Sequence, residues 1–314
     1  MTGVRFATAA TVVLLAATGC HAGEPGARAA TLVLTPTESP SPSPSPSPTP
    51  PPPTSTLPDG TRTLFPGHRL VAFYGAAGAP GLGVLGTGSP EEVWPKLRRQ
   101  AKPYRRAPAT VLPAYELITY LATSSRGNQG NYSSRIKNKT IRHYSRAAKR
   151  HGAMLILDIQ PGRGRFIHDA KTLERWLRKP YVGLALDPEW KLYGDQKPLE
   201  QIGHTTARQI NHVSHWLNRL SRRELLPQKP LLVHQFTEDM VRHKEDVRSR
   251  SRLALVFNVD GFGSKSAKVS KYEEFARDDR FPLGFKLFYD YDTPMMSPRE
   301  VLRLRPPPKV VEYQ

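Results

Sequence analysis

Eight short apolar runs, each bounded by glycine, proline or polar residues, recur along the chain from residue 69 to its end. Runs of this length with such boundaries are typical of buried β-strands. They occupy residues 69–75, 110–122, 153–160, 182–189, 231–236, 253–260, 283–290 and 309–314. The chain therefore has eight candidate strands.

Segments with helical signals separate these candidate strands. Pro90 stands at a first-turn position of one segment and Gly152 follows the end of another, as is common at helix termini. The predicted helices cover residues 89–102, 132–151, 169–179, 205–223, 237–247, 270–277 and 297–303. Regular alternation indicates a parallel sheet, and eight repeats match a (β/α)8, or TIM-type, barrel of the α/β class. An open doubly wound sheet is the alternative.

The fourth run, YVGLALDPEW, indicates which face of its strand points into the barrel. Side chains alternate between the two faces of a strand. One face carries Val182, Leu184 and Leu186, and the other carries Gly183, Ala185, Asp187 and Glu189. Because small residues suit a narrow interior, we expect both acids inside, at the carboxyl end of the strand. Barrels of this type carry their chemistry at that end.

The same alternation, applied to the other runs, predicts a cluster of polar side chains at the carboxyl end of the interior. Its members are Tyr74, Glu116, Asp158, Gln160, Asp187, Glu189, His234, Asn258, Asp260, Lys286 and Asp290. A slip of one residue in the second or fifth strand would replace Glu116 by Tyr115, or His234 by Gln235. So many ionisable groups at one end indicate a functional site.

The beginning of the chain has the features of an export signal. Arg5 precedes an apolar run, residues 7–17, that is too short to cross a bilayer as a helix. The sequence ATGC, residues 17–20, resembles the lipobox of bacterial lipoproteins, in which the signal is cut before a cysteine that receives lipid. We therefore expect a signal peptide over residues 1–19 and lipidation at Cys20. An ordinary signal peptide with an incidental cysteine is the alternative.

A stalk is predicted over residues 20–60, before a barrel domain over residues 61–314. Serine and proline alternate within residues 39–58, which lack the apolar residues needed for packing and favour an extended, polyproline-like chain. Cys20 is the single cysteine, so an intramolecular disulfide is excluded. These features predict a protein anchored by lipid to the outer face of the cell membrane.

The chain is strongly basic, with 46 lysines and arginines against 27 acidic residues and a net charge of +19. Such a surface attracts polyanions. For an exported protein these are anionic wall polymers or lipid headgroups rather than nucleic acid. We expect a cell-wall glycan or an anionic wall polymer as partner, and a monomeric protein. A solvated basic surface without a specific partner is the alternative.

The motifs of the sequence predict neither a cofactor site nor a metal site. Residues 81–86, GLGVLG, fit the dinucleotide fingerprint G-x-G-x-x-G. The preceding strand ends near Gly75, however, the next helix begins near residue 89, and no acid follows at the position that would bind a ribose. The sequence contains no H-E-x-x-H, paired cysteines or G-x-S-x-G. We therefore predict neither a cofactor nor a metal ion.

The acids of the fourth run resemble a known catalytic motif. The D-x-E at Asp187 and Glu189 is similar to the fourth-strand motif of family 18 chitinase-like and family 25 muramidase-like glycosidases, and FYDYD, residues 288–292, resembles a late-strand Tyr-Asp of the chitinase-like group. Most of residues 65–314 resemble a family of lipoproteins of high-GC Gram-positive bacteria with a glycosidase-like barrel. The resemblance implies that Glu189 donates a proton to the glycosidic oxygen and that Asp187 assists it.

The chemistry of glycoside cleavage suits these residue types. One carboxyl group must stay protonated while another group stabilises positive charge or activates water, and adjacent carboxylates raise one another's pKa. The catalytic candidates are Asp187, Glu189, Asp158 and Asp290; the substrate-binding candidates are Tyr74, Glu116, Gln160, Trp190, His234, Asn258, Asp260 and Lys286.

Three functions remain open for the chain. We expect a hydrolase of wall glycan. A non-catalytic barrel that binds glycan or polyanion is the first alternative, and another hydrolase or a lyase is the second. If Lys286 paired with Asp187 or Asp290, the polar cluster would be a structural ion-pair network instead of a catalytic site.

Overall fold

The computed structural model describes residues 54–105, 109–127 and 129–314. The predicted signal peptide, the lipidation site Cys20 and most of the predicted stalk lie outside the described residues. Within this part of the chain, none of the helices combines the length and the apolarity that a bilayer-spanning segment requires.

Eight parallel strands form a closed barrel, which confirms the predicted fold class. In chain order they are β1 (His68–Gly75), β2 (Thr110–Ala122), β3 (Met154–Ile159), β4 (Val182–Leu186), β5 (Lys229–Gln235), β6 (Leu253–Val259), β7 (Leu283–Leu287) and β8 (Val310–Tyr313). Consecutive strands pair with each other, and β8 pairs with β1 to close the ring. The fourth and seventh strands end at Leu186 and Leu287, earlier than the sequence predicts.

Helices cover the outside of the barrel. They are α1 (Pro90–Ala101), α2 (Asn138–His151), α3 (Phe166–Thr172), α4 (Glu174–Leu177), α5 (Ala207–Arg223), α6 (Lys265–Phe275) and α7 (Pro298–Val301). Ser89 and Thr206 cap α1 and α5, because their hydroxyl oxygens accept hydrogen bonds from the first-turn N–H groups of Glu92 and Gln209.

Four predicted helices differ in the structure. The helix predicted over residues 270–277 begins earlier, at Lys265, and the one predicted over residues 169–179 is divided into α3 and α4. The prediction for residues 237–247 is wrong: the short strand Val241–Arg242 pairs with Thr205–Thr206, and His243 has a left-handed backbone with φ of 55°. Extended pairing and a left-handed residue both interrupt a helix. The helix predicted to begin at residue 132 begins at Asn138, because Ser133–Arg135 pairs with β2 as an antiparallel strand.

The register of the strands sets the height of each polar side chain in the barrel. Tyr74 lies opposite Glu116, His234 opposite Asn258 and Lys286 opposite Glu312. The predicted registers of the second and fifth strands are therefore confirmed, with Glu116 and His234 inside. Gly284 lies opposite Asn258, and a Cβ at that position would collide with the Asn258 side chain. Small residues thus make room for polar groups in the narrow interior.

The glycine-rich loop after β1 packs against the barrel. It forms two 3-10 turns, Pro80–Leu82 and Val84–Thr87, instead of the start of a long helix. A Cβ on Gly83 would lie 2.4 Å from the carbonyl oxygen of Tyr74, much closer than two non-bonded atoms can approach. Gly83 therefore allows the loop to approach β1 closely, and a Cβ on Gly86 would collide with the carbonyls of Ala76 and Ala79 in the same loop. Packing thus accounts for these two glycines without a dinucleotide.

The ordered fold begins before residue 61. Leu57, inside the range predicted for the stalk, is only 2% exposed and belongs to the main hydrophobic core. Arg62 donates hydrogen bonds to the carbonyls of Leu225 and Leu226, and Gln228 accepts the N–H group of Leu64. These contacts attach the chain that precedes β1 to the turn between α5 and β5.

Candidate functional site

The polar side chains predicted from strand alternation meet at the carboxyl end of the barrel, with the exception of Asp290. They divide into two groups. The first, called here the cationic network, consists of Glu116, His234, Asn258, Asp260, Lys286 and Glu312. The second, called here the acid group, consists of Tyr74, Asp158, Gln160, Asp187 and Glu189.

His234, on β5, stands between carboxylates. Its Nδ1 lies 2.9 Å from Oδ2 of Asp260 and 3.9 Å from Oε2 of Glu312, and its Nε2 lies 3.0 Å from Oε1 of Glu116. Burial lowers the pKa of the imidazole, but Asp260 and Glu312 outweigh this effect and raise the pKa of His234 well above its usual value. We therefore assign His234 as an imidazolium that donates a hydrogen bond from each nitrogen.

Lys286, on β7, supplies the second cation. Its Nζ lies 3.3 Å from Oδ2 of Asp260, 3.8 Å from Oε1 of Glu312 and 3.6 Å from the centre of the Tyr74 ring. Burial opposes the charge, yet Asp260 and Glu312 hold the pKa of Lys286 above its ordinary value. The ammonium pairs with these two acids, and not with Asp187 or Asp290, the partners considered in the ion-pair alternative.

Asp260, just after β6, is the ionised acid of the cationic network. Burial favours its neutral form, but His234 and Lys286 lower the pKa of Asp260 below its ordinary value. The amide of Asn258 donates to the second oxygen of Asp260 at 2.9 Å and also to Glu312. Asp260 is thus a carboxylate fixed from both sides.

The acid group has a different composition. The hydroxyl of Tyr74 donates to Oδ2 of Asp158 at 3.2 Å, and the amide of Gln160 donates to the Tyr74 oxygen at 3.1 Å while lying 3.5 Å from Oδ2 of Asp187. In the described residues neither Asp158 nor Asp187 forms an ion pair, and one oxygen of each lacks a hydrogen bond from the protein. The side-chain hydrogen bonds that these two acids accept therefore come from neutral groups, and the charges of His234 and Lys286 act on them without forming an ion pair.

The surroundings of Asp158 and Asp187 favour protonation. Burial raises the pKa of Asp158 to about 6, although the positive charge of His234 opposes the shift. Burial, followed by the charge of Asp158, raises the pKa of Asp187 well above its ordinary value. Asp187 is the more buried of the two adjacent acids, and the charge of Glu189 adds to its shift.

Glu189 lies in the 3-10 turn Pro188–Trp190, immediately after β4. Burial raises the pKa of Glu189, Lys286 opposes the shift, and Asp260 adds to it. The N–H of Gly203 donates to the carbonyl of Glu189 at 2.6 Å, and a Cβ on Gly203 would lie 2.6 Å from that oxygen. A glycine is therefore required where the chain passes behind this turn.

Both groups meet a cavity of about 680 Å3 at the barrel mouth. Its floor contains Gln160, Asp187, Glu189, Asp260 and Lys286. Its rim carries the exposed side chains of Leu199, Phe262 and Tyr291, which are 81%, 64% and 58% accessible, and Trp190 also lines it. Ionisable groups under a rim of exposed apolar side chains are the usual composition of a ligand site.

Asp290 does not join the site. Because β7 ends at Leu287, the chain turns outward and leaves Asp290 exposed, away from the cavity. The neighbouring Tyr289 stacks on Tyr313 on the barrel flank, with ring centres 5.6 Å apart, so it is also absent from the cavity lining. Of the FYDYD aromatics, Phe288 and Tyr291 line the cavity.

Sequence reasoning missed Glu312. This acid lies on β8, is fully buried, and contacts Lys286 and Asn258. Burial and the charge of Glu116 raise the pKa of Glu312 well above its ordinary value. The sequence does mark this residue, because Glu312 is the single charged residue in a strand that is otherwise Val, Val and Tyr.

Two sets of buried side chains offer metal-type ligands within reach of each other: Glu116, Asp158 and His234, and His234, Asp260 and Glu312. Both sets share His234, whose two nitrogens already have carboxylate partners, and Lys286 neutralises the second set. A divalent cation would have to displace these protons, so the donor set fits an ion-pair network better than a metal centre.

No protein-family model matches the chain, and no curated protein shows significant sequence similarity to it.

Proposed function

We propose that the protein is a glycoside hydrolase-like enzyme in which Glu189 donates a proton to the leaving oxygen. One observation carries the proposal: a single cavity contains Glu189, whose pKa is raised, and Asp260, whose pKa is lowered. Two acids whose environments push their pKa values apart can act as proton donor and as charged partner.

The roles of the other residues follow from their positions. Asp260 is ionised and faces the cavity, so it can stabilise positive charge at the sugar carbon or orient water. Asp187 lies beside Glu189 at the floor and, when neutral, can donate a hydrogen bond to a sugar hydroxyl. Trp190, Phe262 and Tyr291 offer ring faces on which sugars stack.

The substrate class we propose is cell-wall glycan. This choice is supported by the predicted export signal and lipid anchor, which would place the barrel outside the membrane, and by the resemblance of Asp187 and Glu189 to glycosidase motifs.

The test is release of reducing ends from peptidoglycan and chitin-type oligosaccharides. Glu189→Gln keeps the shape of the side chain but cannot supply a proton, so we expect turnover to fall about 10²- to 10⁴-fold with binding retained. Glu273→Gln, an exposed change on α6, is the matched control and should leave the rate unchanged. Full activity of Glu189→Gln would contradict the role of this residue.

A non-catalytic glycan-binding barrel is the second candidate, favoured by the dense ion pairing of the cationic network. It predicts saturable glycan binding by the wild-type protein without reducing-end release from any of these substrates, and equal affinity in Glu189→Gln. That combination would replace the enzymatic proposal.

We further propose that lipid on Cys20 attaches the protein to the outer face of the membrane. Cys20→Ser removes the acceptor thiol, so the protein should leave the membrane fraction while the barrel stays folded. Fractionation after a high-salt wash, which removes protein adsorbed by its basic surface, measures the effect. Retention of the variant in the washed membrane fraction would exclude the anchor.

A further inference from the structure

A second cavity, of about 720 Å3, lies on the flank of the barrel between the start of α5 and the segment that leads into β6. Its charged lining is basic. Arg208 comes from α5, Arg248 and Arg250 come from the segment before β6, and His204 and His243 complete the set called here the basic groove. Asp246 is the one acid in the lining, so three arginines against one carboxylate leave a net charge of +2.

The arginines of the basic groove have no acidic partners of their own. In the described chain, arginine ion pairs are formed by Arg150, Arg178, Arg223 and Arg280, and by none of the three groove arginines. The Nε of Arg250 is buried and makes no hydrogen bond to the protein. In the described chain, the three arginines therefore carry positive charge into the cavity lining without a carboxylate that neutralises it by an ion pair.

The groove is held in shape by side-chain contacts. The amide of Asn211, on α5, donates to the carbonyl of Asp246 at 2.8 Å, and its oxygen accepts the N–H of Arg248 at 2.9 Å. The strand pair Thr205–Thr206 and Val241–Arg242 ties the same two segments together. Both walls are therefore positioned before a ligand arrives, which lowers the cost of binding.

Charged residues outside the lining also act on the groove: Glu245 lies 3.7 Å from His243, and two cations act on His204. Burial, and then the charges of Arg242 and Lys191, lower the pKa of the His204 imidazole, although Asp239 opposes the shift. Neighbouring cations thus add to the potential at this cavity.

We propose that the basic groove binds a linear polyanion that carries phosphate groups. The guanidinium fork of arginine matches phosphate oxygens, and three arginines on two segments can contact successive phosphates. At about 30 Å3 per water molecule, the cavity has room for roughly twenty waters, far more than one phosphate needs.

The loop after β4 lines both cavities, with Trp190 at the mouth and Tyr193 in the groove, so a bound polymer would lie beside the candidate site. This proposal does not depend on catalysis.

The experiment compares two triple variants of the full chain. Arg208→Gln/Arg248→Gln/Arg250→Gln removes three charges from the groove. Arg142→Gln/Arg146→Gln/Lys149→Gln removes three charges from an exposed face of α2 and is the matched control. With inorganic linear polyphosphate as probe, the groove variant should bind about tenfold more weakly, since each exposed ion pair contributes a few-fold, and the control should bind within about twofold of wild type.

Three results would overturn the proposal. They are equal losses in the two triple variants, absence of saturable polyphosphate binding, and orthophosphate binding as tight as that of the polymer. Tighter binding to vesicles of anionic phospholipid than to polyphosphate would assign the groove to lipid headgroups instead. Because all six residues are exposed or half-exposed, unchanged unfolding midpoints are expected, and the single Arg248→Gln variant repeats the test if the triple variant fails to fold.

Discussion

The cationic network and the acid group lie side by side in one barrel interior, yet they handle buried charge in opposite ways. In the network, Asp260 lies within 2.9 Å of His234 and 3.3 Å of Lys286, and its pKa is lowered. In the acid group, the side-chain hydrogen bonds to Asp158 and Asp187 within the described residues come from Tyr74 and Gln160, and the pKa values of both acids are raised.

This difference separates groups that maintain the barrel from groups that can exchange protons near neutral pH. A buried carboxylate beside a cation stays ionised across the physiological range, so it can support structure and charge but does not donate a proton. A buried carboxyl group without a cation stays protonated until the pH approaches its raised pKa. Proton chemistry is therefore assigned to β3 and β4, and electrostatic support to His234, Asp260 and Lys286. Glu312 is the exception in the network, because burial and the charge of Glu116 raise its pKa.

The largest expected effect comes from breaking the cationic network. Lys286→Met leaves Asp260 and Glu312 buried without the ammonium, so the free energy of unfolding should fall by about 3–5 kcal/mol. Urea unfolding at neutral pH measures it. Lys265→Met is the control: Lys265 pairs with Glu300 at 2.7 Å, but the pair is about one-third exposed, so the loss should stay below about 1 kcal/mol. Equal losses in the two variants would contradict the assignment.

In the acid group, removing a charge should raise the free energy of unfolding instead of lowering it. The folded protein raises the pKa of Asp158 from 3.8 to about 6, so the stability contributed by its protonation is complete below pH 3.8 and lost as the pH rises through 6. Asp158→Asn cannot ionise. The variant should therefore gain about 2 kcal/mol relative to wild type between pH 4 and pH 8.

Urea unfolding at both pH values checks this gain. Asp195→Asn, an exposed change in the loop after β4, should show the same stability difference from wild type at pH 4 and pH 8. A loss of stability in Asp158→Asn at pH 8 would show that the ionised acid supports the fold.

A smaller effect is expected at the cavity rim, where a side chain can serve binding without supporting the barrel. Phe262 is 64% exposed, so Phe262→Ala should change the free energy of unfolding by less than about 0.5 kcal/mol. If its ring stacks on a sugar, glycan affinity should fall several-fold, equivalent to about 1 kcal/mol. Calorimetric titration measures the affinity. Ile202→Ala, 53% exposed but outside the cavity lining, should bind as wild type does, and equal affinities in all three proteins would exclude stacking on Phe262.

The sequence alone predicts the barrel and most of its polar interior. Strand alternation has a period of two residues and depends only on local backbone geometry, so the inward positions of Glu116, Asp158, His234 and Lys286 follow from the apolar runs. The same local rule fails at Asp290, because it assumes that the strand continues, and β7 ends at Leu287.

The charge partners in the interior were decided by the tertiary structure. Lys286 pairs with Asp260 and Glu312, on the strands adjacent to β7, and their distances depend on how eight strands register and close into a ring. The pKa of each acid depends on burial and on charges summed over several strands, so Asp158 on β3 adds to the raised pKa of Asp187, and Lys286 on β7 opposes the rise at Glu189. The basic groove likewise joins α5 to residues 243–250, two segments that only the folded chain brings together.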